Sequence, residues 1–325
     1  MKKKYFFSII LPTFNSHDYL RNAINSIISQ TFKEWELIII DNYSSDGTKN
    51  LIKSYRDSRI KFFQIRNRGI ISKSRNFGIK KSYSKWLCFI DSDDTWHANK
   101  LEIVKNYIDQ HNYDLFYHNL EFSNKKFFFF KKKIADKNNK LSKPIFKEFI
   151  KNGNGIGQSS VVVKKKLIEK IGLTSESNEI FAWSDFDTWL KVSLKTNKFL
   201  HIPIVLGSIW VGKTNVSSFN QDIENNKSIV KFYKEKAKRK FKIDLAKTWW
   251  IIYPGLLKKF REKKFRECNK ILKNIPESPF KFKIRFFYIK YSSLFRLLIS
   301  KLKKKVNLII LFIFIKSNNN FINSN

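Results

Sequence analysis

The sequence predicts an α/β protein: a mostly parallel sheet flanked by helices, followed by a basic, mainly helical C-terminal extension. Three observations carry this. The first hundred residues alternate short apolar runs with amphipathic stretches, the pattern of parallel strands joined by crossover helices. Residues Trp86 to Trp96 read W-L-C-F-I-D-S-D-D-T-W, an apolar run that stops on three carboxylates, as a buried strand does where it opens into a crevice. From Gln221 the chain turns into Lys- and Arg-rich helical segments broken at Pro254-Gly255 and at Pro276 and Pro279. The expected organisation is a sheet domain over residues 1–220, a basic helical extension over 221–316 and a disordered Asn-rich tail over 317–325.

Taken in order, Phe6 to Leu11 is strand-like. Lys2-Lys3-Lys4 before it imitates a signal peptide, but the apolar part is short and Pro12-Thr13-Phe14-Asn15 follows in place of a small-residue cleavage site. Asp18 to Gln30 is helical, with Leu20, Ile24, Ile27 and Ile28 on one face. Glu36 to Ile40 is a second strand ending at Asp41, and Asp46-Gly47-Thr48 opens a helix to about Arg56 with Asp46 as cap. Ile60 to Ile65 is the third strand, Ile71 to Lys80 a helix and Trp86 to Ile90 the fourth strand. Beyond these, Leu115 to Phe122 and Ser159 to Val163 read as strands, Lys165 to Ile171 as a short helix stopped by Gly172, and Phe199 to Trp210 as extended chain interrupted by Pro203. Lys125 to Lys133 sets four phenylalanines between lysine blocks, either a membrane contact or a strand with charged flanks.

The formal net charge of +37 calls for a partner or a location. It is unevenly placed. From Gln221 onward there are 27 Lys and Arg against 7 Asp and Glu, so +20 lies in the last third, and no acid follows Glu277. Within that part Ile284, Phe287, Tyr291, Leu294, Leu298 and Leu302 form a helical stripe with basic residues on both borders. Such a helix lies in a membrane interface, or packs on the protein's own core with a solvated rim. The longest apolar run, Val306 to Ile315, is ten residues, too short to span a bilayer. Two cysteines, Cys88 and Cys268, exclude a disulfide framework and a zinc site, and a reducing compartment is the default.

Three acids crowded at a strand end repel one another unless a cation neutralises them, and the hard ions Mg²⁺ and Mn²⁺ prefer oxygen ligands. Asp91-Ser92-Asp93 therefore reads as a metal site for a diphosphate, with an acidic turn that merely closes a strand as the plain alternative. No Ser/His/Asp or Cys/His nucleophile set is apparent in the sequence, which suits direct displacement at the reacting carbon.

Five motifs in order make the chain resemble the family 2 glycosyltransferases of GT-A fold from about Tyr5 to Trp210. They are Ser8-Ile9-Ile10-Leu11-Pro12-Thr13-Phe14-Asn15; Ser29-Gln30-Thr31 with the run from Glu36 to Asp41-Asn42 and Ser44-Ser45-Asp46-Gly47-Thr48; Asn67, Gly69, Ser74-Arg75-Asn76 and Gly78; the D-x-D-D run from Asp91; and Trp183-Ser184-Asp185-Phe186-Asp187. The resemblance implies a nucleotide-sugar donor, a UDP-sugar first of all, and a cell-surface glycan or lipid-linked oligosaccharide as acceptor; no nucleic acid partner is expected. It places Pro12, Thr13, Phe14 and Asn15 along the base and ribose, with Asp41 and Asn42 beside them. Asp41 would accept the uracil imide N–H, or else only cap its turn. Arg75 would reach toward the nucleotide, a surface ion pair being the alternative. Asp91 and Ser92 would meet the ribose or support the metal, and Asp93 would coordinate Mg²⁺ or Mn²⁺ directly. Asp185 would be the base that takes the acceptor proton, with Asp187 as the fallback. The aromatics Phe181, Trp183, Phe186 and Trp189 would either desolvate Asp185 or be plain core.

Three departures from the family pattern stand out: Phe14 where Tyr is commoner, Ser184 where a Glu usually precedes the base, and W-V-G-K-T-N-V-S from Trp210 to Ser217 where many relatives carry a His, Lys213 being the available cation. A sugar nucleotidyltransferase is the nearest competing enzyme, but the Gly-rich basic loop it needs is missing after the first strand. A nucleic-acid-binding protein would fit the charge and the 16% aromatic content, but no nucleic-acid module is recognisable. The expected location is cytoplasmic, on the inner face of the cytoplasmic membrane, with an anionic membrane surface as partner.

Overall fold

The computed structural model describes residues 5–123, 140–210 and 219–272, together with Ile289, Tyr291 and Leu294. The chain divides into two compact units, Met1–Ile243 and Asp244–Asn325. Strand β1 (Phe7–Thr13) is buried along its whole length, as a near-continuous apolar run demands when both faces of a sheet are covered. Parallel neighbours β2 (Trp35–Asp41) and β4 (Trp86–Phe89) flank it, and β3 (Ile60–Gln64) extends the sheet beyond β2. The full order is β3-β2-β1-β4-β7-β6-β8-β5. Here β7 (Val162–Lys164) runs antiparallel to β4 and to β6 (Leu115–Ser123), β8 (Phe199–Trp210) runs parallel to β6, and β5 (Thr95–Trp96) is antiparallel to β8.

Register decides where the chemistry sits. Thr13 pairs with Asp41, and Phe89 with Ile10, so the acids just past β4 emerge at the same carboxyl edge as Thr13 and Asp41. This is the edge at which open α/β sheets hold ligands.

Helices cover both faces. Leu20, Ala23, Ile24 and Ile27 of α1 (His17–Ile28), Leu51 and Ile52 of α2 (Thr48–Ser54), and Leu101 and Val104 of α4 (Lys100–Gln110) pack with Phe7, Ile9, Leu11, Leu37 and Ile39 in one core cluster. The opposite face receives α3 (Ile71–Lys81) through Gly78. A Cβ on that glycine would lie 2.7 Å from Ile40 Cδ1 and 2.9 Å from Ile10 Cγ2, so the helix approaches the sheet as closely as it does only without a side chain there. Further along come α5 (Ile145–Asn152), α6 (Lys165–Lys170) and α7 (Ser184–Ser193), whose Trp189 ring meets Phe89 edge-on. α8 (Phe219–Phe241) belongs to the first unit, anchored by Tyr233 Oη donating to Asp187 and by Phe146 against Tyr233 and Phe241.

Two expectations are corrected. Ser159–Val163 is not one strand: Gln158–Ser160 is a 3₁₀ turn and the ladder starts at Val162. The Ser160 hydroxyl donates to Gly157 O, while the Ser159 carbonyl is taken by Trp96 and Lys100, so local side-chain bonds outcompete the ladder. In the second unit α9 (Trp249–Arg261) runs through Pro254 instead of breaking there. An internal proline costs about 3 kcal/mol, but Trp249, Trp250 and Leu256 are buried on this helix, and each large apolar side chain contributes about 1.5–3 kcal/mol. α10 (Phe265–Leu272) follows. Asp46 stands one residue before the cap position and still accepts from the Thr48 N–H and hydroxyl.

Among the described residues no helix is long and apolar enough to cross a membrane. The Lys125–Lys133 segment, the run after Trp210 with Lys213, and the tail lie outside the described residues, as does most of the basic-bordered stripe. Its two described members, Tyr291 and Leu294, are exposed.

Gly78 yields a stability test. Gly78→Ala would gain about 1 kcal/mol of helix propensity against about 1–3 kcal/mol of overpacking. Gly78→Val removes most of that offset, so it should lower unfolding stability by about 2 kcal/mol or more. Denaturant unfolding of the two variants measures this, and a Val variant as stable as the parent contradicts the close approach.

Candidate active site

The acidic turn follows β4 directly. Asp94 N–H bonds back to Asp91 O at 3.1 Å, closing the turn that carries the three carboxylates. Each has a different fate. Asp91 is half-buried and accepts from Arg75 Nη2 at 2.7 Å. Asp94 is buried, accepting from the Ser159 hydroxyl at 2.5 Å and the Trp210 N–H at 3.0 Å. Burial first, then the Asp91 and Asp93 charges, hold its carboxyl well above the usual range. Among the described residues Asp93 meets only its own backbone N–H, and its carboxyl is pushed up to about 6 by burial and by Asp91. A desolvated carboxylate beside a like charge, with no partner among the described residues, fits a cation ligand. No group of three His, Cys, Asp or Glu side chains among the described residues converges to hold a metal ion. The chain would thus offer Asp93 and the free oxygen of Asp91, and a diphosphate the rest, which is the habit of Mg²⁺.

Ser159 braces this turn from the sheet side. Its hydroxyl accepts from the Asp91 N–H at 3.2 Å while donating to Asp94, and its carbonyl accepts from Trp96 Nε1 and Lys100 Nζ, both at 2.9 Å. Lys100 is fully buried with its ammonium 3.3 Å from the Trp96 ring centre. Burial drives its pKa well below the ordinary lysine value, opposed by the Cys88 and Asp94 charges.

At the neighbouring strand ends Thr13 is buried with its hydroxyl unpartnered among the described residues, while Phe14 is exposed. Asn15 takes a left-handed backbone (φ 45°). Its N–H donates to Ser44 Oγ and its Oδ1 accepts from the Ser45 N–H, tying the loop after β1 to the loop after β2. Asp41 is fully buried and accepts from the Ser44 N–H, the Ser44 hydroxyl and Gln64 Nε2, so it caps its turn. Asn42 donates its N–H to Thr13 O and accepts from the Asn67 N–H. Ser92 Oγ lies 2.9 Å from Ser16 Oγ, which joins the acidic turn to the start of α1.

Arg75 forms an ion pair, but a buried one: its side chain is 7% exposed, with Nη1 3.5 Å from Ser184 Oγ. That contact brings the first turn of α7 to the acidic turn. Asp185 is half-buried, its Oδ1 accepting from the Phe186 N–H at 2.7 Å and its Oδ2 from Asn154 Nδ2 at 3.3 Å. Asp187 is committed elsewhere: it is buried, bonded to Tyr233 Oη at 2.6 Å and ion-paired with Lys191 at 2.6 Å. Phe186 and Trp189 are core residues.

The residues singled out from the sequence thus fall along one edge: Pro12 to Asn15, Asp41 and Asn42, then Asp91 to Asp93, with Arg75 joining the acids to the helix that carries Asp185. Asp94, Lys100, Ser159 and Asn154 gain their roles only from the structure. Asp94 is visible in the sequence as the fourth letter of D-x-D-D. Ser159 and Asn154 carry no signal, because their partners lie 65 and 31 residues away.

Comparison with known proteins agrees with this geometry. The sequence model described as Glycosyl transferase family 2 matches residues 8–172. The chain is 31% identical over 193 residues to the Escherichia coli UDP-Glc:alpha-D-GlcNAc-diphosphoundecaprenol beta-1,3-glucosyltransferase WfgD, covering 59% of this chain and 71% of that protein. It is 42% identical over 113 residues to the Staphylococcus aureus poly(ribitol-phosphate) beta-N-acetylglucosaminyltransferase TarP, a match spanning 33% of this chain and 34% of TarP. Among solved structures, S. aureus TarS in complex with UDP-GlcNAc superposes with a TM-score of 0.57 at 18% identity, over 83% of this chain and 82% of that one. The Pyrobaculum calidifontis mannosyltransferase PcManGT in complex with GDP-Man and Mn²⁺ gives 0.55 at 13% identity, over 91% and 88%. With the family's sequence model spanning half of its length, and the strand-end loops and acidic turn on one edge of a GT-A sheet, this chain belongs to glycosyl transferase family 2.

Proposed function

We propose that this glycosyltransferase moves a hexose from a uridine-diphosphate donor to a lipid-linked or polymeric cell-envelope glycan, with inversion at the anomeric carbon and dependence on a divalent cation. The observation that carries the reading is Asp93, with no side-chain partner among the described residues, on a turn that Arg75 connects to the helix of Asp185. The donor and acceptor classes rest on the relatives: WfgD and TarP are named for such acceptors, and TarS was solved with UDP-GlcNAc.

In this scheme Thr13 offers its unpartnered hydroxyl to the nucleoside. Asp41 and Asn15 hold the two loops that frame the base: the Ser44 N–H bridges both Asp41 oxygens, and the Ser44 hydroxyl and Gln64 take one further site on each, so Asp41 acts on the base by shaping its turn. Asp93 and Asp91 would hold Mg²⁺ or Mn²⁺; when bound, such an ion neutralises charge on the leaving diphosphate. Arg75 holds Asp91 in place through its 2.7 Å ion pair. Asp185 takes the proton of the attacking hydroxyl, with Asn154 and the Phe186 N–H fixing its orientation. Asp187 is withdrawn from this role by its burial, by Tyr233 on one oxygen and by the ion pair with Lys191.

We also place the protein at an anionic membrane surface. The ten Lys and Arg and no acid from Lys281 onward, beside the exposed Tyr291 and Leu294, support this, each basic residue near such a surface contributing about 1 kcal/mol.

Three outcomes test these assignments. A carboxyl whose pKa is raised from 3.8 to about 6 on folding holds its proton more tightly when folded, so Asp93 costs stability as pH rises through that window. A cation binds only the ionised form. The rise in melting temperature produced by Mn²⁺ should therefore be present at pH 7.5, fade as pH falls through about 6, and be absent from Asp93→Asn; an equal rise at pH 5 rules out Asp93 as ligand. Asp185→Asn should lower turnover by about 10²-fold or more with UDP affinity by calorimetry unchanged, whereas loss of UDP binding would make Asp185 a structural residue. The full chain should co-sediment with phosphatidylglycerol vesicles in a salt-sensitive way and not with neutral ones. Equal sedimentation with both would dismiss the electrostatic contact.

A further inference from the structure

Away from the acidic edge, the last turns of α6, α7 and α8 surround one open cleft of about 370 Å³. Five lysines line it, Lys170, Lys191, Lys195, Lys236 and Lys240, with two aliphatic side chains and no carboxylate. Lysines are commonly placed at helix C-termini, where the backbone carbonyls carry partial negative charge, so that ordinary role has to be subtracted first. Three helix ends amount to about −1.5 charges. Lys191 is further neutralised by Asp187 at 2.6 Å. The remainder is an excess of roughly two to three positive charges held in one concavity. Lys170, Lys195, Lys236 and Lys240 have no acidic partner among the described residues.

We propose that this cleft binds a phosphate group of the acceptor, the diphosphate of a lipid-linked glycan or a phosphodiester of an anionic polymer. The proposal rests on the glycosyltransferase reading given above. Ammonium groups on flexible stems bind phosphate as point charges, and a diphosphate carries the charge that the excess would balance. Placement favours the acceptor over the donor. The donor's phosphates belong with Asp91 and Asp93 at the carboxyl edge, whereas the cleft is built on the same helix as Asp185. Lys191 follows Asp185 by six residues, about 9 Å along the helix at 1.5 Å per residue, and Lys195 lies just past the helix end. Phe186 to Leu190, between Asp185 and the cleft, are buried, so an acceptor with its hydroxyl at Asp185 and its phosphate among the lysines would pass around α7 and not over it. A flat membrane surface would not fill a concavity of this kind.

The test uses the full chain saturated with UDP, so that added phosphate cannot report the donor edge. Inorganic pyrophosphate and a glycerol-phosphate oligomer are titrated by calorimetry at two salt concentrations. The triple variant Lys195→Gln, Lys236→Gln, Lys240→Gln is compared with Lys33→Gln, Lys53→Gln, Lys80→Gln, which removes the same charge from exposed sites elsewhere. The cleft variant should bind about tenfold or more weakly, the control like the parent. Tighter pyrophosphate binding supports a lipid-linked diphosphate, and tighter oligomer binding a phosphodiester polymer. Equal loss in both triples would reduce the effect to diffuse charge and overturn the site. So would cleft-dependent sedimentation with phosphatidylglycerol vesicles without binding of either soluble probe. If UDP fails to bind while pyrophosphate binding still depends on the cleft, the donor assignment falls and the anion site stands. If UDP binds while pyrophosphate binding ignores the cleft, the anion site falls and the donor assignment stands.

Discussion

The hydrogen bond from the Ser159 hydroxyl to Asp94, at 2.5 Å, is the constraint on which the acidic edge depends. Three carboxylates within four residues would spread apart or protonate if left to solvent and to one another. Here one is removed from the competition. Asp94 is sunk beneath the turn and satisfied by Ser159 and the Trp210 N–H, Asp91 gives one oxygen to Arg75, and Asp93 has no side-chain partner among the described residues. Leaving a buried carboxyl such as Asp94 without those bonds would cost about 1–3 kcal/mol, enough to displace the turn. Lys100 closes the arrangement from below: its Nζ is sandwiched between the Ser159 carbonyl and the Trp96 ring, where it fixes Ser159 without touching the acids.

The same division between a charge that is spoken for and one left open recurs at α7. Asp185 and Asp187 stand two residues apart on one helix, yet point to different environments. Asp187 is tied down by Tyr233 and Lys191 and serves packing between α7 and α8. Asp185 sits at the helix start beside Asn154, on the side where Ser184 meets Arg75. Replacing the usual acidic neighbour by Ser184 therefore has a local reason: Arg75 already faces Asp91, and a buried hydroxyl at 3.5 Å needs no further counter-charge.

The sheet is largely legible in the sequence because its signals are local. Apolar runs such as Ile38-Ile39-Ile40 specify strands by themselves, and Asp41 and Asp91 can be placed at strand ends because the runs stop there. Gly78 is a motif letter in the sequence, but the reason for it, an approach of α3 to Ile10 and Ile40, exists only in three dimensions. The strand expected at Ser159 is a turn, since its carbonyl is claimed by Trp96 and Lys100 from a segment about sixty residues earlier. Pro254 misleads in the opposite direction: its local rule is overridden by burial of two neighbouring tryptophans. Arg75, expected at the surface or on the nucleotide, is a buried link between two functional segments.

The bonds that complete the acidic edge also have a temporal meaning. Asp94 waits for Ser159, 65 residues later, and for Trp210, 116 residues later; Asn76 on α3 waits for Thr174, 98 residues on. Contacts of such sequence separation form late, because loop-closure entropy must be met before they repay it. On a ribosome that releases the chain from its amino end, β1, β2, β3 and β4 can assemble into a parallel core long before their carboxyl edge is competent. The acidic turn is thereby left incomplete in nascent fragments until the strand ending at Trp210 has been made.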